Sequence, residues 1–196
     1  MNIVITGDSF VEGVGGSSGG WAQMLADRTK ELAVSIFGIG GQTSQDLMKR
    51  ITGEIGSETA VVIISIGVND SRIRPSLRRN EVPIDQFEDN VEKAICAVLE
   101  HGASCLVVGL TTVDEARTSP FKEDKIYQNK SIAAYDEVLR LKSHELNVGY
   151  VTVPSIADEQ GALADGLHPS DVGHNRILSV VEPALHQLLS NESSKD

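Results

Sequence analysis

Only two cysteines, Cys96 and Cys105, occur in the 196 residues. They are too few for a disulfide framework, and they stand in no metal-ligand spacing such as C-x-x-C. Both read as apolar side chains of a protein kept in a reducing compartment. Long hydrophobic runs are missing too: none approaches the ~18 residues that a membrane span needs. The first apolar run is short, and no basic stretch with a signal-length apolar segment precedes it. The expectation is a cytoplasmic protein without membrane insertion. Positive charge is scarce, with 17 basic residues against 28 acidic ones and a net charge of −11. Such a surface repels the phosphates of nucleic acid and anionic lipid, which argues against a nucleic-acid partner. Internal repeats, low-complexity linkers and breaks in composition are also absent. One domain over residues 1–190 is therefore expected, with 191–196 as a flexible tail.

What the chain does have is a recurring pattern. Apolar, β-branched-rich runs at 2–6, 33–37, 60–66, 105–110 and 148–153 are each bounded by turn residues. They are continuous rather than alternating, as in strands covered on both faces. Helical periodicity lies between them: Trp21, Met24, Leu25 and Leu32 share one face, and so do Leu47, Met48, Ile51 and Ile55. A helix over about 86–101 carries the stripe Phe87, Val91, Ile95, Val98 and Leu99. Asp85 and Glu88 suggest its N-cap, and Gly102 its stop. Further helices are expected over about 130–146 and 171–189, the last kinked or restarted at Pro183, which has no amide proton. Strands alternating with helices make a three-layer α/β fold around a five-stranded parallel sheet.

In such sheets the binding crevice lies outside the carboxyl ends of the strands. Four segments bring polar or glycine residues there: Gly7-Asp8-Ser9, the run from Gly38 to Thr43, Gly67-Val68-Asn69-Asp70, and Asp165-Gly166-Leu167-His168-Pro169. Each has an ordinary structural use. Ser9 suits a helix cap as well as a nucleophile. Gly38, Gly40 and Gly41 suit a tight turn, and Asn69 and Asp70 are turn formers. His101, His144, His174 and His186 read as ordinary surface or core histidines. The glycines at 13–20 (GVGGSSGG) and 38–43 also suggest a nucleotide- or phosphate-binding module. The first run, however, lacks the G-K-[ST] ending of a P-loop, and the second has Thr43 where a dinucleotide fingerprint needs glycine or alanine.

Taken together and in order, GDSF at 7–10, GIGGQTS at 38–44, GVND at 67–70 and DGLHP at 165–169 resemble the four sequence blocks of the SGNH, or GDSL-type, serine hydrolases. The resemblance spans nearly the whole chain. It implies a flavodoxin-like α/β/α sandwich acting on a small-molecule ester, thioester or O-acetylated substrate, with no metal and no cofactor. Carried over residue by residue, it makes Ser9 the nucleophile, His168 the general base and Asp165 the group orienting that base. The Ser9 amide, the Gly41 amide and the Asn69 side chain become the oxyanion hole. Acyl transfer to another acceptor would use the same triad. GDSF replaces GDSL, and Ile36 stands where many members have asparagine.

The chemistry agrees with these types. A serine hydroxyl needs a base to take its proton, and imidazole has a suitable pKa. A D-x-x-H spacing puts the base and its orienter on one turn. Glycine at 41 is expected to let its amide approach closely, with no Cβ in the way. Asn69 offers a neutral donor. Asp8, though next to Ser9, points elsewhere along the strand and reads as a turn stabiliser, as does Asp70. Two loops fall outside the blocks. Residues 71–83 carry Arg72, Arg74, Arg78 and Arg79, either as a solvated loop or as a contact for an anionic substrate group. Residues 111–124, around Pro120 and Phe121, suggest a second wall or lid.

Overall fold

The computed structural model describes residues 2–193. β1 (Asn2–Gly7) is followed by the single turn α1 (Ser9–Glu12) and by α2 (Gly20–Arg28), and β2 (Ala33–Gly38) by α3 (Ser44–Met48) and α4 (Ile51–Glu54). β3 (Thr59–Ser65) leads into a small hairpin, β4 (Ile73–Arg74) and β5 (Arg79–Asn80), wrapped around a 3₁₀ turn at Pro75–Leu77. The chain continues through α5 (Ile84–Glu100), β6 (Ser104–Val108), α6 (Glu115–Thr118), α7 (Asn129–Glu145), β7 (Gly149–Val151) and α8 (Asp171–Ser193).

Five strands form one sheet in the order β2-β1-β3-β6-β7, and every pairing in it is parallel. Parallel neighbours need crossover connections, which the helices supply. The order reverses between β1 and β3, the switch point of flavodoxin-like sheets and the place where their ligands bind.

Side chains alternate between the two faces of each strand. Ile3, Ile5, Val61, Ile63 and Leu106 meet Trp21 and Leu25 of α2 and Ile177, Leu178, Val181 and Leu185 of α8. Val4, Val62, Ile64, Cys105 and Val107 meet Leu47, Ile51, Phe87, Val91, Ile95, Val98 and Leu139 on the other face. Two covered faces explain why the strand sequences are continuous apolar runs. Ile63 is 0% exposed at the centre, so truncating it to alanine costs about 2–5 kcal/mol. Ile36, in the position many GDSL-type proteins give to asparagine, packs half-buried against the first cluster.

Three local expectations need correction. α5 starts two residues early, after Pro83, whose φ of −54° already suits a helix start; Asp85 makes no cap and sits in the first turn. There its charge faces the positive end of the helix. Gly102 does end α5, with φ of +78° and its amide donating to the Leu99 carbonyl at 2.9 Å. Pro183 starts no second segment: α8 runs through it, anchored on either side by the fully buried Val181 and Leu185. The same helix continues to Ser193, into the expected tail, of which 194–196 lie outside the described residues. None of the described helices is long and apolar enough to cross a membrane.

Candidate active site

β1 hands the chain to α1 through Asp8, whose Oδ1 accepts the Phe10 amide at 3.0 Å and so caps the turn. Ser9 is therefore the first helical residue. It is 4% exposed and borders a cavity of about 240 Å³ that Gly41, Asn69 and His168 also line. Four residues expected at the site thus come together from the ends of β1, β2 and β3 and from the turn before α8. Asp165, the fifth, stands behind His168.

Asn69 is held from both ends of its amide. Its Oδ1 accepts the Tyr127 hydroxyl at 3.1 Å and Arg72 Nη1 at 3.4 Å, while Nδ2 donates to the Gln42 carbonyl at 3.0 Å. A second contact of Nδ2, to Asp8 Oδ2, is long at 3.5 Å. Two donors on Oδ1 fix which way the amide faces.

Asp165 forms the tightest part of the site. Its Oδ1 accepts the His168 amide at 2.8 Å and the Leu167 amide at 3.0 Å, and its Oδ2 lies 2.7 Å from His168 Nδ1. Burial pushes the Asp165 carboxyl up, but hydrogen bonds from the His168 amide and ring and from the Leu167 amide outweigh it and hold the carboxyl below its ordinary value. An ionised carboxylate only accepts, so Nδ1 carries the proton and Nε2 keeps the lone pair. The rings of Phe10 and Phe121 flank the imidazole, with centroids 6.3 and 6.1 Å away.

Gly41 needs a different explanation from close approach. A Cβ there would meet nothing within 4 Å; the residue has φ of +78°, which is what favours glycine. Asp8 and Asp70 both act in turns and caps. Asp70 accepts the Ser44 amide at 2.9 Å and its hydroxyl at 2.5 Å, at the start of α3. Burial pushes Asp8 up to about 7 against the Phe10 amide, and Asp70 up to about 6 against its bonds from Ser44.

The glycines at 13–20 are used for packing. A Cβ on Gly13 would stand 2.1 Å from the Gly19 carbonyl, and one on Gly20 would stand 2.8 Å from the His174 ring. His174 is fully buried in the core. It accepts the Trp21 amide on Nδ1 at 3.3 Å and approaches the Val14 carbonyl through Nε2 at 3.2 Å. Burial lowers its pKa.

The arginines of residues 71–83 are largely tied to the protein itself. Arg72 binds Glu81 through Nε at 3.0 Å and Nη2 at 2.8 Å, and Arg74 reaches Glu81 at 2.6 Å and Asp124 at 2.8 Å. Arg79 donates to the Asn80 and Glu81 carbonyls. Burial pushes Glu81 up, but Arg74 and Arg72 more than reverse this and lower it. Of the four, Arg72 lines the cavity, beside Phe121, Lys122, Lys125 and Tyr127. Phe121 thus forms a wall, as expected of its loop. Lys122 falls in the 111–124 stretch read as a wall, whereas Lys125 and Tyr127 have no sequence signal: their place depends on pairing across the fold, Ile126 bridging to Ile73 and the Tyr127 amide donating to the Thr118 carbonyl.

A parallel α/β sheet with a cavity at its switch point is the frame of many hydrolases, and comparison with known proteins gives the class as enzymes that hydrolyse ester bonds. The GDSL-like lipase/acylhydrolase family model matches residues 5–176, and the chain belongs to that family. The isoamyl acetate-hydrolyzing esterase of Saccharomyces cerevisiae is 24% identical over 178 residues, covering 82% of this chain and 74% of its own. Esterase TesA of Pseudomonas aeruginosa is 26% identical over 198 residues, covering 96% and 90%. A crystal structure of TesA matches with a TM-score of 0.74 and 25% identity over 96% of this chain and 99% of that one. The acetylxylan esterase Axe2 of Geobacillus stearothermophilus shares the fold, with a TM-score of 0.74 at 18% identity over 93% of each chain.

Proposed function

We propose that the chain is a serine esterase in which Ser9 attacks the carbonyl carbon of a small ester. His168 Nε2 takes the Ser9 proton as the new C–O bond forms, and Asp165 stabilises the imidazolium through Nδ1. The charge that develops on the carbonyl oxygen is met by the amides of Ser9 and Gly41 and by Asn69 Nδ2. Ser9 opens α1, so its amide has no acceptor within the helix. The long contact between Asn69 and Asp8 marks the Nδ2 proton that an oxyanion can take over. Collapse of the intermediate breaks the bond to the alcohol, which leaves with the proton from His168. Water then attacks the acyl-enzyme, gives its proton to the same nitrogen, and releases the acid and Ser9.

The observation that carries this reading is the His168–Asp165 contact at 2.7 Å on a ring that shares its cavity with Ser9, Gly41 and Asn69. A cavity of about 240 Å³ is small beside the ~300–1,000 Å³ of usual ligand pockets. It suits a short acyl group such as the acetyl of isoamyl acetate, the ester in the name of the yeast relative. Two unpaired cysteines fit a cytoplasmic location. The test is hydrolysis of short acetate esters by the wild type and by His168→Ala, with folding checked by circular dichroism. Turnover should fall by about 10⁴-fold or more. A folded variant that keeps wild-type turnover rules out the mechanism.

A further inference from the structure

Although the chain carries a net charge of −11, none of the residues lining the cavity is acidic, and Arg72, Lys122 and Lys125 are cationic. Arg72 already shares its charge with Glu81. Among the described residues neither lysine forms an ion pair. They sit on one tight turn, in which the Lys125 amide donates to the Lys122 carbonyl at 3.0 Å and the Phe121 amide to the Lys125 carbonyl at 2.9 Å. The Lys122 ammonium stands 5.2 Å over the Phe121 ring, a cation–π contact that helps to orient it. Half-buried, Lys125 has its pKa lowered by burial first and then by Arg72, Lys122 and Arg74, against a smaller opposing pull from Glu81. Like charges held together beside a cavity are relieved by an anion placed among them.

The side of the site they occupy follows from Phe121. Its ring packs edge-on against His168 at 6.1 Å and against Tyr127 at 5.8 Å. His168 is the group that protonates the leaving oxygen, whereas Asn69 and Gly41 face the carbonyl oxygen. Phe121 packs on the His168 ring itself, while Asn69 lies beyond Tyr127, whose hydroxyl it accepts, so the lysine turn stands nearer the leaving group than the carbonyl oxygen.

We propose, building on the esterase reading above, that this enzyme prefers esters whose alcohol portion carries an anionic group, carboxylate or phosphate, bound by Lys122 and Lys125 beside Arg72. The anion adds no step to the reaction; it positions the alcohol for protonation by His168 and departs with it.

The test is the ratio of kcat/KM for a charged ester to that for its neutral partner, each corrected for its rate of alkaline hydrolysis. 3-Acetoxybenzoate against phenyl acetate places a carboxylate on the alcohol side. 1-Acetylglycerol 3-phosphate against 1-acetylglycerol places a phosphate there. p-Nitrophenyl hemisuccinate against p-nitrophenyl butyrate puts the charge on the acyl side. At low salt at least one alcohol-side pair should show about a tenfold preference for the anion, as two partly exposed contacts provide. The preference should shrink at about 0.5 M salt, where screening is strong, and disappear in Lys122→Gln/Lys125→Gln. Whichever alcohol-side pair responds identifies the anion. The inference is overturned by a preference confined to the acyl side, by one that survives the double variant, or by none. Turnover of the neutral esters with no anionic preference overturns the inference alone, whereas no turnover of any ester overturns the esterase reading as well.

Discussion

The floor and the wall of the cavity are built in opposite ways. The floor, at the ends of β1 and β3, is buried: Asp8, Ser9, Asn69 and Asp70 are each at most 4% exposed, and nearly every polar group there has a fixed partner. The wall, from Arg72 to Arg79 and from Phe121 to Tyr127, is buried only where Arg72 and Tyr127 meet the floor; outward from them it runs to more exposed side chains such as Arg74 and Lys122, with ion pairs to Glu81 and Asp124. Burial raises the cost of a misplaced group, so the floor holds its geometry. Exposure lowers that cost, so the wall is free to set which substrates enter. On the proposed esterase reading, the difference separates chemistry from selectivity within one cavity.

That separation can be broken from the floor upward. Asp8 should give the largest effect on stability. A carboxyl whose pKa is raised by folding binds its proton more tightly in the folded chain, so this contribution favours folding at low pH and is lost as pH rises from 3.8 through about 7. The loss amounts to ~4 kcal/mol. Urea unfolding of the wild type and Asp8→Asn should show a gap that widens in the variant's favour between pH 4.5 and pH 8; a constant gap would mean that Asp8 does not titrate with folding. Asn69→Ala should lower kcat by about 10²–10³-fold, or roughly 3–4 kcal/mol, and, since the Tyr127 hydroxyl loses its acceptor and the Gln42 carbonyl its donor, lower stability by about 1–3 kcal/mol with the fold kept. Wild-type turnover in that variant would remove Asn69 from the oxyanion hole. Tyr127→Phe deletes one of the two donors on Asn69 Oδ1, and kcat should fall by about tenfold while KM stays near its wild-type value. A change in KM alone would place Tyr127 among the substrate contacts instead. At the wall, Asp124→Asn weakens the contact to Arg74, in which the two side chains are 26% and 24% exposed. Its melting temperature should drop by no more than about 1 kcal/mol implies, with neutral-ester turnover little altered; a collapse of turnover would contradict the division between floor and wall.

The same division governs what could be read from the residues. The five strands were legible because burial on both faces leaves a continuous apolar run. The residues at the strand ends were legible because a parallel sheet brings those ends to one edge. The wall was legible only in part: residues 111–124 read as a wall, but Tyr127 and Lys125 reach the cavity through the bridge between Ile73 and Ile126, a contact between segments more than fifty residues apart. Arg72 was visible as a charge but not as a buried partner of Glu81 and Asn69. At Gly41 the residue type marks the position but not the reason, because positive φ and close approach both select glycine and only the folded backbone separates them. At Asp85 a nearby Pro83 supplied the helix start that a side-chain cap was expected to provide.

The central claim is that Ser9 is the nucleophile, and covalent labelling tests it most directly. Treated with a fluorophosphonate, the wild type should gain the mass of one phosphonyl group, and peptide mapping should place it on Ser9; Ser9→Ala should gain none. An adduct on another residue, such as Ser44 or Ser71, or equal labelling of Ser9→Ala, would contradict the account.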